Sequence, residues 1–189
     1  TDDEAKEYGV KPVNMRWVHT DRNAKHRIPQ SVTSHIPVLA KSRLVVVGCQ
    51  ENTDAIRGDS PTASLFAFNF VCACLAMQKF LACLADAESA FLQRLGGEEL
   101  DRVLLLVAPR PPPPGAQAGQ KYRAKGSIYG TKDAGRRWWL RLRTVLLACQ
   151  WIESRLERCL FFLVDESEKL IGILLVHVDD LFGGGDTNS

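Results

Sequence analysis

The chain has no Cys-x-x-Cys pair, no histidine at finger spacing from a cysteine, and no internal repeat. Its six cysteines, Cys49, Cys72, Cys74, Cys83, Cys149 and Cys159, therefore do not read as a zinc site. Three of them fall in an apolar stretch, where a reduced thiol behaves as a small hydrophobe. This usage points to a reducing, intracellular compartment, with disulfides as the alternative. No Cys–His arrangement supports nucleophilic catalysis. No basic-then-apolar leader follows Thr1, so no signal peptide is read, and the chain reads as a piece of something longer. An unbroken membrane-length apolar run is lacking as well. Residues 65–85 come closest, but Gln78 and Lys79 divide them, and a central Lys costs roughly 2.5–3.5 kcal/mol on insertion scales. A buried helix over about 62–78 is expected instead, begun by Asp59, Ser60 and Pro61, with a strand over about 80–86 after it. A membrane-anchored protein is the rival reading of this stretch.

What is present is globular in kind: 189 residues, 46% hydrophobic and 24% charged, which excludes wholesale disorder and suits one domain or two lobes sharing a core. The net charge of +2 is uninformative, but its distribution is not. Residues 121–143 carry eight basic side chains against Asp133 alone, a local charge of +7, so the remaining residues carry −5.

Residues 1–40 read as irregular, with a short strand over 15–18, and a second strand is expected over 41–48, where Leu44-Val45-Val46-Val47 is compact and mostly β-branched. A short helix over 88–95 and a buried strand over 103–107 follow. Five prolines and two glycines between Pro109 and Gly119 make an extended loop. The clearest helix spans 133–150, with Ala134, Trp138, Leu142, Val145, Leu146 and Cys149 at three- and four-residue spacing. Residues 160–164 and 170–178 form a hairpin, and the second strand, apolar on both parities, should be buried on both faces. Helices interleaved with an antiparallel hairpin indicate an α+β fold.

Two apolar strands end in acid: one in Asp86, the other in Asp179-Asp180. Adjacent carboxylates repel and resist desolvation unless cations neutralise them. If the strands are neighbours, Asp86, Asp179 and Asp180 converge, and three carboxylates suit hard divalent cations such as Mg²⁺. Such a centre could serve displacement at phosphorus. On spacing alone, a solvated turn is an equal reading.

Further motifs weigh toward the metal centre. Lys41-Ser42-Arg43-Leu44-Val45, Asp59-Ser60-Pro61, Asp86-Ala87-Glu88-Ser89-Ala90-Phe91-Leu92, Ser127-Ile128-Tyr129-Gly130-Thr131-Lys132-Asp133-Ala134-Gly135-Arg136-Arg137-Trp138 and His177-Val178-Asp179-Asp180 stand in that order. Together they resemble the reverse transcriptase domain of copia-type long-terminal-repeat retrotransposons, over roughly residues 16–186. His177 stands where that family has Tyr, and Gly135 where it has Pro.

The resemblance implies the fingers and palm of a reverse transcriptase, with a ferredoxin-like palm around an antiparallel sheet and the thumb absent. The expected division is 1–80 for the N-terminal and fingers-like region and 81–189 for the palm-like region. It implies RNA-directed DNA synthesis by two-metal nucleotidyl transfer, with two Mg²⁺ ions (or Mn²⁺) at Asp86, Asp179 and Asp180. Implied partners are an RNA template, a DNA primer and deoxynucleotide triphosphates, with no membrane, in a cytoplasmic particle or the nucleus.

Lys41 and Arg43 would meet the triphosphate, or else form an ordinary solvated strand face. Phe91 would stand against the sugar C2′ and exclude a 2′-hydroxyl, or else belong to the core. Tyr129, Gly130 and Lys132 would lie under the nucleotide and template, although Gly130 is equally an ordinary turn glycine. Arg136, Arg137 and Arg141 would follow template–primer phosphates, or else decorate a solvated helix. Trp138 and Trp139 could stack on bases, Trp138 reading more as core. His177 reads as a packing residue rather than a ligand. The rival to an active polymerase is an inactive remnant that at most binds nucleic acid.

Overall fold

Two sheets organise the chain in the computed structural model, which describes residues 2–24, 37–51, 56–93 and 99–186. Each belongs to its own unit: Thr1–Ala55 with Glu98–Lys132, and Ile56–Gly97 with Asp133–Ser189. This partition is not the single cut near residue 80 expected above. Residues 99–132 return to the first sheet, and the helix before residue 80 packs on the second. The class is α+β.

In the first unit, helix α1 (Asp2–Glu7) precedes β1 (Val13–Asp21), and β2 (Ala40–Val46) pairs antiparallel to β1 with Met15 opposite Val46. Strand β4 (Leu105–Val107) adds parallel to β1, and β5 (Lys121–Arg123) pairs antiparallel to β4, giving the order β2-β1-β4-β5. Val13, Met15, Val46, Leu104, Leu106 and Ala124 form its core. The proline-rich segment is the loop between β4 and β5, and the Trp17 indole donates to the Pro111 carbonyl at 2.8 Å. Strand β1 is longer than the four residues expected, and β5 was not anticipated, because three residues inside a basic segment carry no legible period.

The second unit holds α2 (Leu65–Gln78), β3 (Leu81–Asp86), a 3-10 turn (Ala90–Leu92), α3 (Ala134–Ala148), β6 (Ile152–Glu153), β7 (Leu160–Val164), β8 (Leu170–His177) and β9 (Asp180–Gly185). Its sheet runs β3-β9-β8-β7-β6, antiparallel throughout. Strand β8 is central and covered on both faces: Ile173 and Leu175 pack with Ala67, Val71 and Leu75 of α2, while Leu174 and Val176 pack with Leu146 of α3. The continuous apolar run is explained by that double burial.

Helix α2 starts later than expected. Ser64, not the Asp59–Pro61 stretch, caps it, its Oγ accepting from the Ala67 amide at 3.1 Å. Nor is it buried all round. One face is covered, while Phe66 and Met77 are 80% and 79% exposed. Strand β3 is likewise an exposed edge strand. No described helix is long and apolar enough to cross a membrane. The short helix expected over 88–95 is the 3-10 turn Ala90–Leu92, and residues 94 and 95 lie outside the described residues. The three glycines after Asp180 continue β9. A Cβ on Gly183 would fall against the Ile173 carbonyl of the adjacent strand, so only glycine permits that approach.

Candidate active site

The acidic residues are brought to one end of the second sheet by its register. Asp86 closes β3 directly opposite Asp180, which opens β9, and Asp180 in turn lies opposite His177 at the end of β8. Residues opposed in this way share a sheet face. Between β8 and β9 only Val178 and Asp179 remain, a two-residue turn with Val178 at φ 59°. Such turns favour Gly, Asn or Asp at the positive-φ position. A β-branched residue there stores strain of order 1–3 kcal/mol.

Two contacts from outside the hairpin hold that turn. The Ala87 amide, one residue past Asp86, donates to the Asp179 carbonyl at 2.8 Å. The Trp138 indole N–H donates to the Val178 carbonyl at 2.7 Å. Trp138 is 6% exposed, and Trp139, at 3%, lies under the guanidinium of Arg158 at 4.2 Å from the ring centre. Neither ring is presented for base stacking. His177 is exposed rather than packed. Sequence reading missed the Trp138 bond, and nothing local could have signalled it.

The backbone thus assembles Asp86, Asp179 and Asp180, but among the described residues no group of three or more His, Cys, Asp or Glu is arranged to hold a metal ion. The donor chemistry suits a hard cation; the side chains as placed do not form a ligand set. Phe91 is half-buried in the 3-10 turn, which packs against α3.

Two motif blocks distant in sequence meet at the start of α3. Asp59 takes a bidentate bond from Arg57, both contacts 3.0 Å, and a third from Arg136 at 2.9 Å, while the Ser60 hydroxyl donates to the Gly135 carbonyl. The Arg57 hydrogen bond, with the charge of Arg136 beside it, holds the Asp59 carboxyl below its ordinary range. Arg137 pairs with the buried Asp133 at 2.7 Å, one helical turn back. Arg141 is half-buried, with one guanidinium nitrogen enclosed and without a hydrogen-bond partner. The basic helix is therefore partly engaged within its own unit.

In the first unit the two motif blocks also meet. Strand β2 carries Lys41, half-buried, and Arg43, exposed, whose guanidinium lies 5.8 Å from the centre of the Tyr129 ring. The Val46 amide donates to the Tyr129 carbonyl at 2.7 Å. Gly130, at φ 92°, lies so close to Val46 that an added Cβ would overlap its carbonyl oxygen. Here the turn requires glycine on two counts. The Lys132 side chain is exposed, and its amide donates to Glu51 at 2.9 Å. Glu51, whose side chain is only 2% exposed, also accepts from Arg102 at 3.1 Å. This buried acid was not singled out from sequence; a lone Glu before a polar stretch gives no sign of burial. All six cysteines are free.

An acidic sheet end beside a clamped hairpin, with motif blocks paired in each unit, is the setting in which comparison with known proteins is informative. The family model described as reverse transcriptase (RNA-dependent DNA polymerase) matches residues 5–188, and the chain belongs to that family. It is a domain of the class that binds nucleic acid and deoxynucleotides. No curated protein and no solved structure matches it.

Proposed function

We propose that the chain is the fingers and palm of a copia-type retrotransposon reverse transcriptase, part of a longer polyprotein, and that it extends a DNA primer on an RNA template. The observation that carries this reading is the opposition of Asp86 and Asp180 with Asp179 in the turn between strands, in a member of the reverse transcriptase family. Two Mg²⁺ ions, or Mn²⁺ in their place, would supply activation of the primer 3′-hydroxyl and stabilisation of the leaving oxygen. Asp86, Asp179 and Asp180 are the residues assigned to hold them. Lys41 and Arg43 are assigned to the triphosphate, where ammonium and guanidinium suit phosphate oxygens. Phe91 is assigned to exclude a 2′-hydroxyl by bulk. Tyr129, Gly130 and Lys132 are assigned to the nucleotide and template. Arg136, Arg137 and Arg141 are assigned to template–primer phosphates, with the first two sharing their charge with Asp59 and Asp133.

A second reading, a remnant that binds nucleic acid without catalysis, is favoured by one observation: the described carboxylates are not gathered into a metal-holding group. Primer extension on poly(rA)·oligo(dT) with Mg²⁺ or Mn²⁺ separates the two. Slow, metal-dependent synthesis that disappears in the Asp179→Asn, Asp180→Asn double variant supports the polymerase. Hybrid binding without extension, in both proteins alike, supports the remnant.

A further inference from the structure

The turn bearing Asp179 has the wrong residue for its shape. Val178 sits at φ 59°, where glycine, asparagine or aspartate is the usual occupant. A hairpin of its own accord would relax such a residue, so something outside must hold it. Two groups do, and they take successive carbonyls: the Ala87 amide grips that of Asp179, and the Trp138 indole grips that of Val178. The first is a main-chain bond that no side-chain substitution removes directly. The second depends on one side chain.

Burial alone does not explain the Trp138 contact. An indole N–H is a donor with no acceptor capacity and needs a partner when enclosed. The adjacent Trp139 is buried as deeply, yet its Nε1 has no hydrogen-bond partner. Trp138 is the one whose donor reaches the hairpin, because it projects from the stripe of α3 that includes the buried Ala134 one turn earlier. Phenylalanine would fill most of the same space without the donor.

We propose that Trp138 is a positioning residue: its indole N–H holds the strained Val178-Asp179 turn, and through it the placement of the Asp179 and Asp180 carboxylates relative to Asp86. The part of this that concerns cation binding rests on the function proposed above; the part that concerns the turn does not. The bond couples helix α3, in the Arg-Arg-Trp motif block, to the Val-Asp-Asp block, so each block is needed for the geometry of the other.

The test uses the 189-residue chain with Trp138→Phe, Val178→Gly and the two combined. Hydrogen exchange at the Ala87 amide reports the turn, since its acceptor is the Asp179 carbonyl. Trp138→Phe should accelerate exchange at Ala87 roughly tenfold, the scale of one lost hydrogen bond, while Phe161 and Ile173 in the core keep their rates. Mn²⁺ affinity, followed by electron paramagnetic resonance, should fall by a similar factor. Adding Val178→Gly should restore both, because glycine adopts positive φ without a clamp. If Trp138→Phe slows or speeds all amides alike, or leaves Ala87 unchanged, the proposal is overturned. Should Trp138→Phe fail to fold, the double variant decides: recovery of folding upholds a turn clamp, and continued failure assigns Trp138 to packing alone. A chain that binds no Mn²⁺ in any form refutes the cation reading, while exchange at Ala87 still judges the clamp.

Discussion

Glu51→Ala should destabilise the chain more than any of its surface acids would. The carboxylate is 2% exposed and divides its two oxygens between the Arg102 guanidinium at 3.1 Å and the Lys132 amide at 2.9 Å. Removing one partner of a buried ion pair costs about 3–5 kcal/mol, because the remaining charge is left poorly solvated. Arg102 retains 20% exposure and a 3.8 Å contact with the largely exposed Asp101, so the low end applies, about 3 kcal/mol. Part of that loss is the Lys132 amide, which loses its acceptor. Glu51→Gln, which keeps an oxygen for that amide and gives up the charge, should cost clearly less. Urea denaturation followed by circular dichroism measures both, and hydrogen exchange at Lys132 localises the effect. A loss below about 1 kcal/mol for Glu51→Ala, the range of exposed ion pairs, would show that the pair is not a buried one in solution.

Two further outcomes are expected. Burial, aided by the charge of Glu157, pushes the Cys159 thiol up to about 11, so at pH 8 only about a thousandth of it is thiolate, the reactive form. A disulfide reagent at pH 8 should therefore modify the exposed Cys49, Cys72, Cys83 and Cys149 quickly and Cys159 only on unfolding; rapid reaction at Cys159 would contradict its burial. Gly130→Ala forces a Cβ onto the Val46 carbonyl at a φ unfavourable to alanine, and should destabilise by about 3 kcal/mol or more in urea, whereas Gly115→Ala, also at positive φ but with open space around it, should cost less. Equal effects at the two positions would mean that the Tyr129–Lys132 turn does not pack on β2.

Much of the second unit was legible before any fold was known. The spacing of Ala134, Trp138, Leu142, Val145 and Leu146 placed α3 to within two residues at either end. The unbroken apolar run of β8 announced a strand covered twice, which α2 and α3 provide. Apolar segments ending in Asp86 and in Asp179-Asp180 marked the acidic positions. These are local patterns, set by the period of the element and the polarity of its faces.

The rest was decided by neighbours far away in the chain. Gly183-Gly184-Gly185 has no side chains to show a strand period, yet it is strand, with β8 and β3 flanking it too closely for side chains. Helix α2 is apolar all round, but only tertiary packing shows that one face alone is covered. Asp86 was legible as a strand end and Asp179-Asp180 as the acids after an apolar strand; that the strand stops at His177, that Asp180 opens the next strand opposite Asp86, and that Asp179 lies in the turn are matters of register. The Glu51–Arg102 ion pair and the Trp138–Val178 bond gave no signal at all, since each depends on a partner far away in the chain, 51 and 40 residues distant. A sequence fixes the periodicity and chemistry of each segment by itself; which donors find which acceptors depends on how the segments pack, and that is where the strained turn at Val178 acquires its support.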